Sequence, residues 1–388
     1  MKLLALFLND EIRTGGHRRL LELLEDLPST GIDTYAVLNA SLPYIPTKFK
    51  DYRIYCRYKR KSIVPVSAKF TKSAKSWFKS LNTKFDFDVL MIHGETHYSA
   101  ARWLQKKTGV PVFYAHRSNT VREILVSMNE SSVFSIMRMK QLFQLSIYKS
   151  YEKKITLHFN RLAFQSPYDL NDFCSRNPSG TAKSCVIRGN IGLPRFKPET
   201  ADTNTSTELK KILFVGTLGD RKGVRHLFKA FEILRKSGIN DIFLDVLGPG
   251  ADIDYWNNWI DQNGFIGRIR LHGRVSNPFS FIAASDLMVV PSDFDSYPDT
   301  VLEALHAGTP VIGSRAGGIP DMLADDELLF PVQNPDGIAQ IISKAYLDNK
   351  QYLLLKEKCN RRRSFFHFNW ALEWKNEITR TQKNSYTR

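Results

Sequence analysis

Two carboxylates set eight positions apart, Asp295 and Glu303, can accept hydrogen bonds from the hydroxyl groups of a ligand. They lie in the run 289–320, whose pattern predicts a buried strand, a loop, a short helix, a turn at Gly308 and a second strand. Glu303 is expected in the first turn of the helix, where its carboxylate can accept two hydrogen bonds from a ribose diol. Asp295, on the other side of the loop, can reach a sugar hydroxyl.

The start of the same helix is a candidate anion site. A loop that enters a helix leaves backbone N–H groups without intrahelical partners, and here these groups belong to Asp299, Thr300 and Val301. Two cations, Arg221 and Lys222, lie in a glycine-punctuated loop that follows another apolar run. Because these positive groups are expected in one crevice, they can neutralise a diphosphate as it leaves.

These residues need a scaffold that brings the ends of several strands together. After residue 210 short apolar runs alternate with helical segments, and the runs end in glycine or polar residues. This pattern predicts a parallel sheet covered by helices, with ligands at the carboxyl ends of the strands. A helix is expected at Val224–Lys236, and strands are expected at Ile212–Val215, Phe243–Leu247, Ile269–His272, Leu287–Val290 and Pro310–Gly313.

The first half of the chain predicts a second α/β unit of the same kind. Polar or glycine residues again follow apolar runs, among them Gly16 and His116. Helices are expected at His17–Leu27, Ala100–Lys107 and about 133–159. The expected strands are Lys2–Leu8, Val89–Ile92, Val110–Tyr114 and Leu162–Gln165.

The length of 388 residues is sufficient for two such domains. The sequence predicts a first domain at 1–197, a polar linker at 198–210, a second domain at 211–365 and a C-terminal helix at 366–388 that packs back on the first domain. Four cysteines are scattered without metal-ligand spacing, which fits a reducing compartment. The early apolar run Leu3–Leu8 is too short for a signal peptide or a membrane span, so we expect a soluble or membrane-surface protein.

The positive charge is concentrated in the first half. Of a formal net charge of +16, residues 1–200 supply the whole excess, with 32 Lys and Arg against 16 Asp and Glu. In the densest stretch, Arg53–Lys84, helical spacing sets aromatic residues such as Phe70 and Trp77 beside a lysine-rich face. Such a helix can lie on anionic lipid, or it can be a packed helix with a solvated lysine face. Nucleic acid is not an expected partner, because no binding signature accompanies the charge.

The second half of the chain resembles retaining glycosyltransferase family 4, the glycosyl transferases group 1. The resemblance rests on the loop 216–223, the acidic pair Asp295 and Glu303, and the run 307–311, and it is close over 211–320. The first half is similar only in outline. The resemblance implies the GT-B fold, an α/β fold in which two Rossmann-like doubly wound domains face a cleft. It also implies that the first domain binds the acceptor and the second the nucleotide-sugar.

The resemblance implies a role for each matching residue. Glu303 matches the acid that binds the nucleotide ribose, and Asp295 matches the acid that contacts the donor sugar, where the family usually has the longer Glu. Lys222 matches the lysine that contacts the donor diphosphate. Arg221 is expected to assist it, because Thr217 stands where the family often has an arginine.

Other matching positions complete the expected site. Gly16 matches a glycine loop that approaches the donor phosphates, and the backbone at Arg274 and Val275 matches a loop that holds the base. His116 matches a histidine near the donor sugar, whose carbonyl or ring steadies the transition state. A purely structural role for His116 remains open. The catalytic candidates are therefore His116, Lys222 and Asp295.

No metal or other cofactor is expected. Asp293-Phe294-Asp295 spells the D-x-D metal signature of the other glycosyltransferase fold, but here it lies inside the frame of the acidic pair. An enzyme without a metal must stabilise the departing diphosphate with fixed positive groups, and Lys222, Arg221 and the helix start supply them.

We therefore expect a retaining, metal-independent glycosyltransferase of the hexosyltransferase type, which moves a sugar from a UDP- or GDP-linked donor to a glycan or lipid-linked acceptor. Surface polysaccharide or glycolipid assembly is the expected process. The expected location is the cytoplasm, with the anionic inner face of the cell membrane as a partner surface. The alternatives are a nucleotide-sugar epimerase of the same fold, and a non-catalytic subunit that binds nucleotide-sugar or lipid.

Overall fold

The chain divides into two compact units. The first consists of Met1–Ile124, Ser132–Arg188 and Asn369–Arg388, and the second of Leu125–Ser131 and Gly189–Phe368. The computed structural model describes residues 1–9, 15–42, 48–54, 56, 66–81, 84–116, 118–129, 136–190, 206–250 and 253–383. Residues 198–205 of the predicted linker lie outside the described residues, so the predicted domain boundaries stay predictions.

A parallel sheet forms the centre of the first unit. The strands described here are β1 (Lys2–Phe7), β2 (Asp33–Asn39), β3 (Lys50–Ile54), β4 (Val89–His93), β5 (Val112–Ala115), β6 (Arg161–Phe164) and β7 (Ser184–Val186). They are ordered β3-β2-β1-β4-β5-β6-β7. The helices before residue 190 are α1 (Gly15–Asp26), α2 (Val66–Ser80), α3 (Tyr98–Thr108), α4 (Thr120–Asn129), α5 (Ile136–His158) and α6 (Pro167–Arg176).

A second parallel sheet forms the centre of the second unit. Its described strands are β8 (Lys211–Val215), β9 (Phe243–Leu247), β10 (Ile269–Gly273), β11 (Leu287–Val290), β12 (Val311–Ser314) and β13 (Leu329–Phe330). They are ordered β10-β9-β8-β11-β12-β13. The helices after residue 206 are α7 (Val224–Lys236), α8 (Ile253–Gln262), α9 (Pro278–Ala283), α10 (Asp299–Ala307), α11 (Ile319–Leu323), α12 (Pro335–Leu347), α13 (Asn349–Phe365) and the C-terminal α14 (Trp370–Lys383).

The central strands confirm the two doubly wound sheets expected from the sequence. Strands such as β1 and β11 are buried on both faces, because helices cover both sides of a parallel sheet, and they therefore read as continuous apolar runs. The prediction missed β2, β3, β7 and β13. Three of these strands lie at sheet edges, where they are short or charged and lack the apolar signal.

The second sheet reverses its strand order between β8 and β11. From β8 the chain continues outward to β9 and β10 on one side, and from β11 it continues to β12 and β13 on the other side. The loops that leave β8 and β11 therefore part in opposite directions and open a crevice at the carboxyl edge. In open α/β sheets this switch point is where ligands bind.

Helix α14 belongs to the first unit and packs on its sheet. Trp374 lies with its ring centroid 5.6 Å from that of Phe113 in β5, and Ile378 is fully buried. Glu377 forms an ion pair with Arg161 of β6 at 2.5 Å, with both side chains nearly enclosed. The last helix of the chain therefore completes the core of the first unit.

The apolar face of α2 is part of the core. Phe70, Ala74 and Trp77 are buried, while Lys72 and Lys79 are exposed, as in an ordinary packed helix with a solvated lysine face. Residues 57–65 of the basic stretch lie outside the described residues. Among the helices described, none combines the length and the apolar character that a membrane crossing requires.

Replacing Ile378 by alanine is expected to destabilise the first unit by about 2–4 kcal/mol, because the truncation leaves a cavity between α14 and the sheet. Leu372 on the same helix is 44% exposed, so Leu372→Ala is the matched control and should change the stability by less than about 0.5 kcal/mol. Scanning calorimetry of both variants measures the difference. Equal melting temperatures would show that α14 is not part of the core.

Candidate functional site

The sequence-predicted residues of the second unit gather at the switch point of its sheet. Arg221 and Lys222 lie in a 3-10 turn, Asp220–Lys222, in the loop after β8. Asp295 lies in the loop after β11, which leads into α10. The two loops flank the crevice at which the strand order reverses, so the site is built where the fold provides an opening.

Two glycines, Gly223 in the loop after β8 and Gly317 in the loop after β12, let these loops touch the backbone of the loop after β11. Gly223 has a φ of +68°, and a Cβ atom there would lie 1.9 Å from the carbonyl oxygen of Pro291. Gly317 has a φ of +54°, and a Cβ atom there would lie 2.0 Å from the carbonyl oxygen of Asp295. Any other residue would therefore collide with the backbone of the loop after β11. The loops around the crevice are thus fixed at van der Waals contact.

Lys222 and Asp295 form an ion pair across the crevice. The ammonium Nζ of Lys222 donates to Oδ2 of Asp295, and both side chains are mostly shielded from solvent. Arg221 reaches the same loop, since its Nη1 donates to the carbonyl oxygen of Phe294 at 3.0 Å. The ion pair joins two of the three predicted catalytic residues. Together, Lys222 and Arg221 place two cations at the switch point.

Asp293 anchors the loop that carries these cations. Its side chain is 1% exposed and accepts hydrogen bonds from Arg225 at 2.9 Å, from His226 at 3.1 Å and from Gln333 at 3.1 Å. Its backbone N–H donates to the carbonyl oxygen of Arg221 at 2.8 Å. Asp293 therefore ties the start of α7 and the turn before it to the loop after β11.

The charge of Asp293 is balanced by these partners. Burial alone would raise the pKa of the carboxyl group, but hydrogen bonds from His226 and Gln333 and the positive charge of Arg225 outweigh it and hold the pKa below its ordinary value. Both carboxylate oxygens are engaged, so Asp293 acts as a structural anchor.

Sequence reasoning missed this network because its members are scattered along the chain. The structure marks one member of the network by an unusual backbone angle. Gln333 has a φ of +56°, which is uncommon for a residue other than glycine. A strained residue whose side chain bonds to Asp293 marks a position that the surrounding structure must hold in place.

Helix α10 begins at Asp299 and places Glu303 one turn inside it. Glu303 is the fifth residue, so the expectation of the first turn is wrong by about one residue, and the residue as a whole is 8% exposed. Pro298 occupies the N-cap position and provides no side-chain acceptor. The backbone N–H groups of Asp299 and Thr300 therefore stand at an uncapped helix start, which attracts anions.

Arg274 and Val275 also lie at the carboxyl edge. They follow β10, whose last residue, Gly273, accepts a hydrogen bond from the backbone N–H of Gly248 at 2.7 Å. The residue after β8, Gly216, in turn donates to the carbonyl oxygen of Leu247 at 2.9 Å. Backbone hydrogen bonds thus link the residues that follow β8, β9 and β10 at this edge. Arg274 is exposed there.

Gly16 and His116 belong to the first unit. Gly16 lies in the first turn of α1 rather than in a loop, and residues 10–14 before it lie outside the described residues. The ring of His116 is buried against the rings of Phe164 and Phe173. Burial, with a contribution from Arg176, lowers the pKa of His116 to about 3, so its imidazole is neutral at physiological pH.

The ring of His116 lines a small cavity within the first unit. The cavity holds about 20 Å³, which is room for one water molecule, and Arg19, Trp370 and Trp374 also border it. Within the part of the chain that the structure describes, Nε2 of His116 has no hydrogen-bond partner. A neutral, buried ring of this kind is suited to accept or donate a single hydrogen bond and not to carry a charge.

Comparison with known sequences identifies the second unit. Residues 196–362 match the sequence model of the family described as glycosyl transferases group 1. Over these residues the chain is similar to the glycosyl transferases group 1. The matched region contains the ion pair of Lys222 and Asp295, the anchor Asp293 and the whole of α10.

A curated relative supports the same assignment over part of the chain. The lipopolysaccharide core biosynthesis glycosyltransferase LpsE of Rhizobium meliloti is 27% identical over 162 residues, which are 41% of this chain and 46% of the relative. In this match the chain spans about half of the relative's length.

Solved structures extend the likeness to both units. Sucrose-phosphate synthase from Thermosynechococcus elongatus superposes with a TM-score of 0.78 at 18% identity, over 98% of each chain. HepE from Anabaena, in a crystal structure with UDP and glucose, superposes with a TM-score of 0.71 at 14% identity, over 99% of each chain. At such identities the likeness concerns the fold, and it confirms the GT-B fold class with two Rossmann-like domains.

Replacing Asp293 by asparagine is expected to destabilise the second unit by about 1–3 kcal/mol, because the hydrogen bonds to this side chain lose the negative charge of their acceptor. Asp220 also pairs with Arg225, at 2.9 Å, but its side chain is 71% exposed. Asp220→Asn is therefore the matched control, and a change of less than about 1 kcal/mol is expected. Urea unfolding of the two variants at about pH 7 measures the difference.

The effect of Asp293→Asn should also depend on pH. Since the pKa of Asp293 in the folded protein lies below the ordinary value of 3.8, the carboxylate stabilises the fold above that value. This contribution is lost as the pH falls through the folded pKa. The stability gap between the natural protein and the variant should therefore narrow below pH 3.8, and a gap that widens in acid would contradict the anchor role.

Proposed function

We propose that this chain is a retaining glycosyltransferase that moves a sugar from a nucleotide-diphosphate sugar to a glycan or lipid-linked acceptor. The observation that carries the proposal is the pair of cations, Arg221 and Lys222, held beside Asp295 at the switch point of the region that is similar to glycosyl transferases group 1. Cations fixed before the substrate arrives can stabilise the negative charge of a departing diphosphate without reorganisation.

Each part of a nucleotide-sugar has a matching group at this site. The diphosphate is proposed to bind Lys222, Arg221 and the N–H groups at the start of α10, which offer positive charge and donors. The ribose hydroxyls are proposed to donate to the carboxylate of Glu303, and the base to lie near Arg274 and Val275. HepE, whose solved complex contains UDP and glucose, makes UDP the first nucleotide to test.

The proposed reaction exchanges one bond at the anomeric carbon for another. The bond from that carbon to the diphosphate oxygen breaks, and the acceptor oxygen forms a bond on the same face. The departing phosphate takes the proton of the acceptor hydroxyl, so no separate base is needed. When the donor is bound, Lys222 shares its ammonium between Oδ2 of Asp295 and the phosphate, and the other carboxylate oxygen of Asp295 accepts a hydrogen bond from the sugar.

We propose that the transfer needs no metal ion. The nearest sequence signature for a metal site, Asp293 and Asp295, is divided between two other tasks. Asp293 is bound by Arg225, His226 and Gln333, and Asp295 is paired with Lys222. A divalent cation would have to displace these positive and donor groups, which already provide the charge that it would supply.

The acceptor is proposed to be anionic or lipid-linked. The excess of 16 positive charges lies in residues 1–200, which contain most of the first unit. Long-range attraction of this kind favours negatively charged partners. The role of LpsE in lipopolysaccharide core biosynthesis makes lipopolysaccharide or a related surface glycan the first acceptor class to test.

Binding of UDP or GDP is expected to raise the melting temperature. A ligand at a hundredfold excess over its dissociation constant adds about 2.7 kcal/mol to the free energy of unfolding. Glu303→Ala should weaken nucleotide binding by about tenfold to a hundredfold, because a charge-assisted hydrogen bond to ribose is lost. Glu357 lies in the same unit with its side chain 62% exposed, and Glu357→Ala is the control. If neither nucleotide shifts the melting temperature, the donor proposal fails.

Lys222→Met is expected to lower the rate of UDP release from the active nucleotide-sugar by about 10²–10³, because a donor to the departing diphosphate is removed. Lys229, an exposed lysine on α7, provides the control Lys229→Met, for which no change is expected.

The same assay with excess chelator should proceed at an unchanged rate. A rate that requires added manganese would contradict the metal-independent mechanism. Product that forms with inverted configuration, or an epimerised sugar without transfer, would favour another enzyme class.

A further inference from the structure

Helix α5 exposes a stripe of large apolar side chains to solvent. We call this set the outer stripe, and its members are Ile136 (74% exposed), Met139 (70%), Leu142 (51%), Phe143 (69%) and Ile147 (38%). At 3.6 residues per turn these positions share one side of the helix and span about 17 Å along its axis. Clustered large apolar side chains on a protein surface indicate a contact with another apolar phase.

The opposite side of α5 already has its packing partner. Gln141, Leu145, Glu152 and Ile155 are buried and lie roughly half a turn away from the outer stripe. The core of the first unit therefore covers one side of α5 and leaves the outer stripe on the other side exposed. The second side calls for a partner that the core does not provide.

The charge around the outer stripe is positive. From residue 131 to residue 151 the sequence contains Arg138, Lys140 and Lys149 and no acidic residue. Lys140 and Lys149 are exposed. The next acidic residue, Glu152, is buried and its carboxylate is paired with Arg176 at 2.7 Å. The outer stripe is thus an apolar surface flanked by cations.

We propose that the outer stripe of α5 docks on the surface of an anionic phospholipid bilayer. Leu142 and Phe143 insert between the headgroups, while Lys140 and Lys149 lie at the level of the phosphates. A helix parallel to the membrane plane, with an apolar side in the acyl boundary and lysines at its flanks, binds anionic membranes in this way.

The charge pattern favours lipid over a second copy of this chain. A symmetric dimer through the outer stripe would place the same apolar residues against each other and bring the lysines of both copies together. Those like charges would repel because the stretch offers no acidic partner. The phosphate groups at the surface of an anionic bilayer neutralise the charges of these lysines instead. Helix α2 is less suited, because its apolar residues are committed to the core.

The inference deepens the proposed function, since a lipid-linked acceptor is presented at a membrane, and it is tested without donor or acceptor. The natural protein should float with vesicles of about 30% phosphatidylglycerol in phosphatidylcholine and not with phosphatidylcholine alone. Leu142→Ser combined with Phe143→Ser should weaken binding to the anionic vesicles by about tenfold or more. The matched control combines Ile266→Ser with Leu347→Ser, two residues of the second unit that are 71% and 75% exposed, and it should bind normally.

A depth measurement separates insertion from adsorption. In Phe143→Trp the new indole should be quenched by brominated acyl chains, whereas Leu347→Trp should give no added quenching over the natural protein. Unchanged flotation of the Leu142→Ser, Phe143→Ser protein overturns the inference, and so does unquenched Phe143→Trp. Sedimentation velocity tests the alternative of a dimer. A dimer of the natural protein that dissociates in the Leu142→Ser, Phe143→Ser protein would assign the outer stripe to a second copy of the chain and would also overturn the inference.

The readouts keep this inference apart from the proposed function. The Leu142→Ser, Phe143→Ser protein should retain the melting-temperature shift with UDP or GDP, because the nucleotide site lies in the other unit. Loss of flotation with the nucleotide shift intact supports docking through α5. If UDP and GDP do not shift the melting temperature of the natural protein, the donor proposal is wrong, whereas the proposal of membrane docking is unaffected.

Discussion

A backbone approach that only glycine permits underlies the candidate site. Gly223 lies against the carbonyl group of Pro291, so the loop after β8 and the loop after β11 are held at one separation across the switch point. The ion pair of Lys222 and Asp295 spans the same two loops. Because the backbone sets the distance, the charges are placed before any ligand arrives, and such preorganisation is what lets fixed groups stabilise a developing charge.

Two carboxylates only two positions apart do different work in this arrangement. Asp293 is enclosed by three donors and serves to hold the loops. Asp295 is paired with Lys222, the lysine proposed to contact phosphate. The division supports the proposal that the positive charge of the site comes from side chains and from the start of α10.

The sequence allowed the central strands and the loops that carry Lys222 and Asp295 to be predicted, because each loop follows a buried apolar run and parallel strands end at one edge. The edge strands β3, β7 and β13 escaped prediction because they are short or charged. The anchor network of Asp293 escaped because its partner Gln333 is forty positions away, and such pairing leaves no local pattern. The outer stripe of α5 escaped for another reason: the side of the helix that faces the core contains polar residues such as Gln141 and Glu152, so the sequence shows no single amphipathic face.

The most direct measurement of the central claim is an experimental structure of the protein with UDP or GDP bound. The account predicts the diphosphate within hydrogen-bond distance of Nζ of Lys222 and of the first N–H groups of α10, with the ribose hydroxyls on the carboxylate of Glu303. A nucleotide that binds away from the switch point, or one that leaves Glu303 without a contact to ribose, would contradict it.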